Sequence, residues 1–328
     1  MKLPNIDKLS LQIDLAPEDF APVSKEEKDD LIKYTANTSY WKDAWRRLKQ
    51  NKIALIALVV IVLFILFALI GPSLSTYTYD QQIRGDENMS PNFVHPFGTD
   101  QLGRDLLVRV MVGSRISLII GIGSALIVLL VGSIYGAVSG LIGGKVDNFM
   151  MRIVEIIYSL PDILIIIMLQ IVIKEPLEKA FDSGSLLGGL QKLGPGIVAI
   201  FIVYGLLYWV GMARIVRGQV LQLKQMEYVN AATALGANNS RLIKKHLLPN
   251  CVGTLIVTTM LQIPSAIFTE AFLSFLGLGV AKPMASLGSL ASEALNGIQS
   301  YPYRLLFPAI AISIIILAFN LFGDGLRD

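Results

Sequence analysis

Six apolar runs, each about as long as a membrane-crossing helix, constrain this chain more than any other feature of its sequence. The hydrocarbon core of a bilayer is roughly 30 Å thick, and a helix needs about 20 apolar residues to cross it. The six runs are residues 53–70, 116–142, 153–173, 193–213, 252–280 and 305–323. They contain three acidic residues and no lysine or arginine. The sequence therefore predicts an all-helical integral membrane protein with six transmembrane helices.

The composition agrees with a membrane protein and argues against several other classes. Hydrophobic residues make up 53% of the chain and charged residues 16%, whereas charged residues make up about 25% of soluble domains. The net charge of +3 is small, so no nucleic-acid partner is predicted. The single cysteine, Cys251, excludes a disulfide within the chain. The two histidines, His95 and His246, lie far apart in sequence, and no metal site is predicted.

The distribution of basic residues predicts how the chain is oriented in the membrane. An even number of spans puts both termini on one side, and loops rich in lysine and arginine stay in the cytoplasm. With the N-terminus in the cytoplasm, the inner segments hold 19 of the 28 basic residues and the outer loops hold 9. We therefore expect a multi-pass protein with both termini in the cytoplasm.

Four regions follow from this topology. Residues 1–38 are polar, lack the apolar core of a secretory signal, and are expected to form a cytosolic tail. Residues 39–72 hold the first span, preceded by a tryptophan- and lysine-containing stretch that is either an interfacial helix or a simple basic anchor on membrane lipid. Residues 73–112 form an extracytoplasmic loop. Residues 113–328 form a core with five spans and a cytoplasmic loop at 214–250.

Small residues and prolines predict how the spans pack and bend. Gly132, Gly136, Gly140 and Gly144 recur at intervals of four, which places them on one helix face that another helix can approach closely. We expect this stripe to pack within the chain rather than against a second subunit. Within the spans, kinks or local unwinding are expected at three prolines: Pro161, Pro264 and Pro308.

Three carboxylates lie within the predicted spans: Glu155, Asp162 and Glu270. A carboxylate at mid-membrane costs about 2.5–3.5 kcal/mol on insertion scales, so such groups face protein or water and often mark a transport path. Glu155 lies only one turn into its span near Arg152, which favours a structural role. Asp162 and Glu270 are candidates for the translocation path, with a structural role left open for both.

The loop at 214–250 predicts a pair of helices with a corner between them. Residues 219–235 are helix-forming, with three alanines near their end, and Gly236 can adopt the left-handed conformation that terminates a helix. Ser240 is a plausible N-cap for a second helix over residues 241–248, and Pro249 disrupts any continuation. A rigid corner of this kind can transmit movement from a soluble partner to the membrane helices.

The residues of this corner resemble the cytoplasmic coupling loop of ATP-binding-cassette importer permeases. That pattern reads E-A-A, three residues, G, nine residues, I, any residue, L-P. The positions in register here are Asn230, Ala231, Ala232, Gly236, His246, Leu248 and Pro249. Asparagine stands where the family has glutamate, and histidine where it often has isoleucine. Glu227, one turn earlier, is a candidate replacement for the missing glutamate.

Three further segments are similar to the C-type permease subunit of dipeptide and oligopeptide importers. They are HPFGTDQLGRD at 95–105, LSFLGLG at 273–279 and AFNLFGDGLRD at 318–328. The resemblance implies an importer permease fold in a prokaryotic cytoplasmic membrane. It also implies a second homologous permease, two cytosolic ATPases that dock on residues 227–249, and an extracytoplasmic substrate-binding protein. Nickel importers share these motifs, so nickel or another small solute remains an alternative cargo.

No nucleotide site is predicted in this chain, and we do not expect it to be an enzyme. The glycines of segment 98–103 have the spacing of a P-loop, but Arg104 and Asp105 follow instead of lysine and serine or threonine. ATP and magnesium are therefore expected on the partner ATPases. The alternative from another class is a stand-alone proton-coupled transporter with Asp162 or Glu270 as the proton carrier, which leaves the loop at 214–250 without a role.

Overall fold

The computed structural model describes residues 45–46, 48–182, 194–280 and 284–327, and these are largely helical. Within these ranges there is no β strand, only an isolated bridge between Thr99 and Asp105. The predicted tail, residues 1–38, and most of the predicted interfacial stretch lie outside the described residues. The chain divides into two units, Met1–Arg47 and Leu48–Asp328, and the elements named below belong to the second.

Twelve α-helices follow one another in the described part of this unit from Lys52 onwards. They are α1 (Lys52–Leu69), α2 (Gly71–Leu74), α3 (Leu106–Ile142), α4 (Gly144–Tyr158), α5 (Asp162–Asp182), α6 (Pro195–Leu207), α7 (Trp209–Leu223), α8 (Glu227–Ala234), α9 (Asn239–Arg241), α10 (Val252–Phe275), α11 (Leu287–Ala294) and α12 (Tyr303–Arg327). A π-helical turn, Leu242–Leu247, and a 3₁₀ turn, Leu248–Cys251, join α9 to α10. Another 3₁₀ turn, Leu295–Gly297, follows α11.

Five continuous stretches are long and apolar enough to cross a membrane, and a bent helix pair supplies a sixth. The five are Lys52–Leu69, Leu106–Ile142, Pro195–Leu223, Asn239–Phe275 and Tyr303–Arg327. The bent pair consists of α4 and α5. The predicted all-helical membrane fold is confirmed, and the number of spans is six when the bent pair is counted as one span.

The third predicted span, residues 153–173, is broken rather than straight. α4 ends at Tyr158, α5 begins at Asp162, and the two helices are bent by 87°. Pro161 has no N–H to donate and disfavours the helical conformation of Leu160 before it. The interruption expected at Pro161 is confirmed, but it turns the chain through nearly a right angle.

The other two prolines do not interrupt their helices. α10 continues through Pro264, and α12 continues through Pro308. Transmembrane helices tolerate proline where neighbouring groups and small adjustments satisfy the freed carbonyl. The local unwinding considered at these two positions does not occur.

A stripe of three glycines brings α3 and α7 into close contact, as predicted. A Cβ on Gly132 would lie 2.5 Å from Cβ of Met212, and one on Gly136 would lie 2.9 Å from Cβ of Val216. Gly140 faces the same helix, where a Cβ would lie 3.0 Å from the carbonyl of Arg217. The stripe therefore packs within the chain.

Gly144 does not belong to this stripe, so its inclusion was wrong. α3 ends at Ile142, and both Gly143 and Gly144 have positive φ angles, +70° and +58°. The chain turns at these two residues, and the direction of the helix face is lost. A Cβ on Gly144 would meet nothing within 4 Å.

The N-terminal end of α3 is fixed by the segment that includes His95 and Asp105. Asp105 is the N-cap of α3 and accepts from the N–H of Val108 at 2.8 Å. Its other oxygen lies 2.8 Å from Nδ1 of His95, and both side chains are buried. The helix start and the preceding loop are thereby locked together, which gives this part of the sequence motif a structural role.

A buried ion network joins the same loop to α11. Arg109 Nη1 lies 2.5 Å from Asp100 Oδ2 and 2.9 Å from Glu293 Oε2, and Arg104 Nε donates to Asp100 Oδ2 at 2.7 Å. Burial raises the pKa of Asp100. This effect is outweighed by the positive charges of Arg109 and Arg104 and by hydrogen bonds from the N–H groups of Leu102 and Arg104. The pKa of Asp100 therefore lies below its usual value. Asp100 is therefore a charged member of the network near neutral pH.

Alanine at Gly136 is expected to destabilise the chain, because its Cβ would be forced against α7. Overpacking of this kind costs about 1–3 kcal/mol. The measurement is the melting temperature of the purified protein in mild detergent. Gly218→Ala is the matched control: Gly218 lies on α7, where a Cβ would meet nothing within 4 Å. The control should melt at the wild-type temperature or higher, and equal melting of both variants would contradict close packing at Gly136.

Candidate functional site

The predicted cytoplasmic loop forms a helical corner at Gly236. α8 (Glu227–Ala234) is followed by Gly236 with a φ angle of +83°. The N–H of Ala237 donates to the carbonyl of Ala232 at 3.0 Å, and the N–H of Gly236 donates to the carbonyl of Thr233 at 2.9 Å. These two bonds form a Schellman motif, which satisfies carbonyls that a helix end leaves free. The prediction that Gly236 terminates the helix is confirmed.

The helices on either side of the corner differ from the prediction. The helix expected over residues 219–235 is interrupted, because α7 ends at Leu223 and α8 begins only at Glu227. The N-cap expected at Ser240 was wrong. Asn238 takes that position, and its side-chain oxygen accepts from the N–H of Arg241 at 2.8 Å. Asparagine and serine are comparable N-caps, so the local sequence did not separate them.

Pro249 changes the type of helix but does not end it. The π-helical turn, Leu242–Leu247, is followed by the 3₁₀ turn, Leu248–Cys251, and the chain then runs directly into α10. Because Pro249 cannot donate a backbone hydrogen bond, the regular helical ladder is interrupted here. The second arm of the corner is therefore continuous with the fifth span, Asn239–Phe275.

Apolar contacts fix the corner to the membrane helices. Val229 of α8 and Leu242, Leu247 and Cys251 of the second arm are buried. They belong to the same apolar cluster as buried residues of α3 and α7, which include Ala137, Val216 and Val220. The core of the membrane domain thus extends without interruption into the corner.

Polar contacts fix the root of the corner. Lys224 Nζ donates to the carbonyl of Gly140 at 3.0 Å. Arg217 holds Asp147 by two bonds, of 2.5 Å and 2.6 Å, and Asp147 also accepts from the hydroxyl of Ser139. α7 is thereby tied both to the end of α3 and to the start of α4. A force applied to the corner acts on several spans at once.

The tip of the corner presents an exposed surface. Among the motif residues, Glu227, Asn230, Ala231, Gly236 and Pro249 are exposed, and Ala232, His246 and Leu248 are half-buried. Glu227 and Asn230 both lie on α8 and are both exposed, so Glu227 is placed where a partner could contact it. Whether it replaces the missing glutamate stays a prediction.

Two apolar residues at this tip were missed in the sequence. The Leu235 side chain is 89% exposed beside Gly236, and Tyr228 is 41% exposed on α8. Single exposed apolar residues are common on protein surfaces, so Leu235 and Tyr228 bear on docking because they lie beside the exposed motif residues. The available signal was an isolated leucine between the alanines and the helix-ending glycine, in a segment that lies outside the spans.

The structure separates the two candidates for the translocation path. Asp162 is exposed at the start of α5 and lines a cavity of about 530 Å³. Glu270 is fully buried in α10, where it accepts from the hydroxyls of Ser117 at 2.9 Å and Ser274 at 2.7 Å. Glu155 forms an exposed ion pair of 3.4 Å with Arg152.

The two histidines lie in different parts of the structure. His95 is buried beside Asp105, and His246 is half-buried in the π-helical turn. In the part of the chain that the structure describes, no three His, Cys, Asp or Glu side chains are grouped so that they could hold a metal ion.

Two family models match the chain. The one described as "Binding-protein-dependent transport system inner membrane component" covers residues 132–328. The one described as "N-terminal TM domain of oligopeptide transport permease C" covers residues 39–91. The first spans most of the membrane core and the whole corner.

Similar proteins extend these matches to most of the chain. The dipeptide transport system permease protein DppC of Bacillus subtilis is 45% identical over 305 residues, 93% of this chain and 89% of that protein. The oligopeptide transport system permease protein OppC of the same organism is 46% identical over 290 residues, 88% of each chain. OppC of Escherichia coli is 41% identical over 292 residues, 88% of this chain and 90% of that protein.

The sequence motifs, the helical architecture and these matches agree. The resemblance inferred from the corner and from the three flanking segments is confirmed. The chain belongs to the family of binding-protein-dependent transport system inner membrane components.

Proposed function

We propose that this chain is the C-type permease subunit of an ATP-binding-cassette importer that translocates dipeptides or oligopeptides. The cargo follows from relatives that are named as dipeptide and oligopeptide permeases. The single observation that carries the mechanism is the exposed helical corner at Gly236, which is continuous with the apolar core of the spans. The chain acts as a transport subunit, not as an enzyme.

The partners follow from the same proposal. Two cytosolic ATPases bind ATP and magnesium and dock on the corner at residues 227–249. A second homologous permease completes the path across the membrane, and an extracytoplasmic binding protein delivers the cargo. Membrane lipid covers the outer faces of the helices, where many large apolar side chains are exposed. Both termini lie in the cytoplasm, in agreement with the excess of basic residues on the inner segments.

Purification of the tagged chain from its host in mild detergent tests this composition. We expect mass spectrometry to find a second six-span permease and two ATPases in stoichiometric amounts. With the binding protein and ATP added, the complex in liposomes should take up a radiolabelled tripeptide. A chain that purifies alone and takes up solute in response to a proton gradient would instead establish a secondary transporter.

A β-branched residue at Gly236 is expected to weaken coupling between ATP hydrolysis and uptake. Valine does not readily adopt the φ angle of +83° that closes the Schellman motif. The measurement is the amount of peptide taken up per ATP hydrolysed by the reconstituted complex, which should fall at least severalfold in Gly236→Val. Gly85→Val is the matched control, because Gly85 also has a positive φ, +97°, but lies in the outer loop with nothing within 4 Å. Coupling that is unchanged in Gly236→Val would contradict a lever at the corner.

Leu235 is expected to contribute directly to ATPase docking. Serine at this position removes an apolar group that can become buried in a cleft of the partner, and central apolar anchors of interfaces cost about 2 kcal/mol or more on truncation. Titration of the purified permease pair with the ATPases should therefore show affinity reduced by at least tenfold. Leu74→Ser is the control, since Leu74 is similarly exposed, at 81%, on the other side of the membrane. Equal affinities of the ATPases for wild type and Leu235→Ser would contradict a role for Leu235 in the interface.

A further inference from the structure

The cavity beside Asp162 lies where the third span is broken. Its wall is formed by the break between α4 and α5, by the junction of α6 and α7, and by the middle of α10. The lining residues that carry polar or ring groups are Tyr158, Pro161, Asp162, Tyr208, Gln262 and Ser265. In transporters, broken helices of this kind surround binding sites near the middle of the membrane.

The depth of the cavity agrees with a position inside the membrane. Tyr208 lies within the apolar run 193–213, and Asp162 lies within the run 153–173. At 1.5 Å per residue, Tyr208 is about 8 Å from the nearer end of its run. Ser265 lies 13 residues beyond Val252, the first residue of α10. The break of the third span meets the junction of α6 and α7 and the middle of α10.

The cavity wall has a carboxylate but no positive charge. Of the twelve lining residues, none is Lys, Arg or His. The Asp162 carboxylate accepts from the N–H of Ile163 at 2.8 Å. A cation near the wall, Arg214, stacks over the Tyr158 ring at 4.1 Å from its centroid and lines a different cleft, together with Arg152 and Arg217. A carboxylate placed at this depth without a cation in the wall requires a positively charged ligand or water.

Neutral hydrogen-bonding groups line the same cavity as the carboxylate. Tyr208, Gln262 and Ser265 each have a side-chain oxygen that can accept a hydrogen bond. Tyr208 is held in place by Tyr204, with the ring centroids 4.3 Å apart and the planes 13° from parallel. Tyr204 is itself fully buried. The Tyr208 ring is therefore supported by a buried neighbour.

We propose that this cavity is a subsite of the translocation path that binds the protonated amino group of the passing peptide, with Asp162 as its counter-ion. This inference rests on the proposed function. An ammonium group has three N–H donors, which suits one carboxylate and two neutral oxygens. A volume of about 530 Å³ accommodates the amino-terminal part of a peptide, while the apolar wall from Ile157, Ile165 and Leu207 contacts its first side chains.

Thiol modification tests the charge preference of the cavity without any need for transport. In the complete importer, Cys251→Ser removes the buried native thiol and Ser265→Cys places one in the wall. Two reagents are compared: aminoethyl methanethiosulfonate, which carries an ammonium group, and neutral methyl methanethiosulfonate. Asp162→Asn should lower the ratio of the two rates by about tenfold, because one nearby charge is lost. Asp162→Glu should keep the ratio high.

The control is an acid on the same helix. Glu175 lies on α5, is exposed, and pairs with Lys179 at 2.8 Å, so Glu175→Gln should leave the rate ratio unchanged. If Asp162→Asn also leaves the ratio unchanged, the subsite is overturned. If the importer with Asp162→Asn does not assemble, a second measurement uses the importer that keeps Asp162. It asks whether peptides protect the Ser265→Cys thiol from modification. Trialanine should slow modification of the introduced thiol, and N-acetyl trialanine should not. Equal protection by the two peptides would overturn the proposal.

Uptake separates the failure of this subsite from the failure of the proposed function. With saturating peptide-loaded binding protein, Asp162→Asn should reduce tripeptide uptake about tenfold in liposomes, while ATPase docking and melting temperature stay at wild-type values. If uptake by this variant equals that of wild type, the subsite is wrong and the importer stands. If wild type takes up no peptide at all, the proposed cargo fails, whatever the thiol assay reports.

Discussion

The close approach of α3 and α7 at Gly132, Gly136 and Gly140 is the contact on which the rest of the structure depends. With side chains at these positions, the two helix backbones could not lie this near to each other. The approach brings Lys224 within hydrogen-bonding distance of the Gly140 carbonyl, and Arg217 within reach of Asp147. The position of the corner relative to the spans is thus set by three residues that have no side chains.

Backbone hydrogen bonding inside a membrane limits where such a chain can be irregular. An unsatisfied N–H or carbonyl facing lipid costs several kcal/mol, so a break in a span persists only where it is buried in protein or lines a cavity. The break between Tyr158 and Asp162 lines the 530 Å³ cavity. The irregular turn around Pro249 lies at the helical corner, beside the buried Leu247 and Cys251. Both irregular regions are the parts of the chain to which we assign function.

The sequence predicted what depends on local rules, and the structure supplied what depends on distant partners. The six apolar runs, the left-handed Gly236 and the interruption at Pro161 each follow from length or from the chemistry of one residue. The 87° angle at that interruption does not, because it depends on how α5 packs against α6. Asn238 and Ser240 are comparable N-caps, so the local sequence does not decide between them.

The candidate site likewise has features that the sequence predicted and features that depend on the tertiary structure. The register of the motif residues was visible in the sequence, whereas the exposure of Leu235 depends on a tertiary fold that buries its neighbour Val229 and leaves the leucine uncovered. Asp162 and Glu270 were indistinguishable as carboxylates within spans. They differ because Ser117, 153 residues away along the chain, is brought against Glu270, while Asp162 faces a cavity.

α7 connects the two functional regions directly. One end of this helix, at Trp209, adjoins Tyr208 in the cavity wall, and the other end, at Leu223, leads into the corner. Its 15 residues form a rod about 22 Å long, and its contact with α3 along the glycine stripe prevents it from bending independently. A displacement of the corner by partner ATPases would therefore move Tyr208 relative to Asp162, which lies on a different span. If the proposed function holds, α7 thus links one group of the cavity wall, Tyr208, to the surface that receives the force, while Asp162 lies on another span.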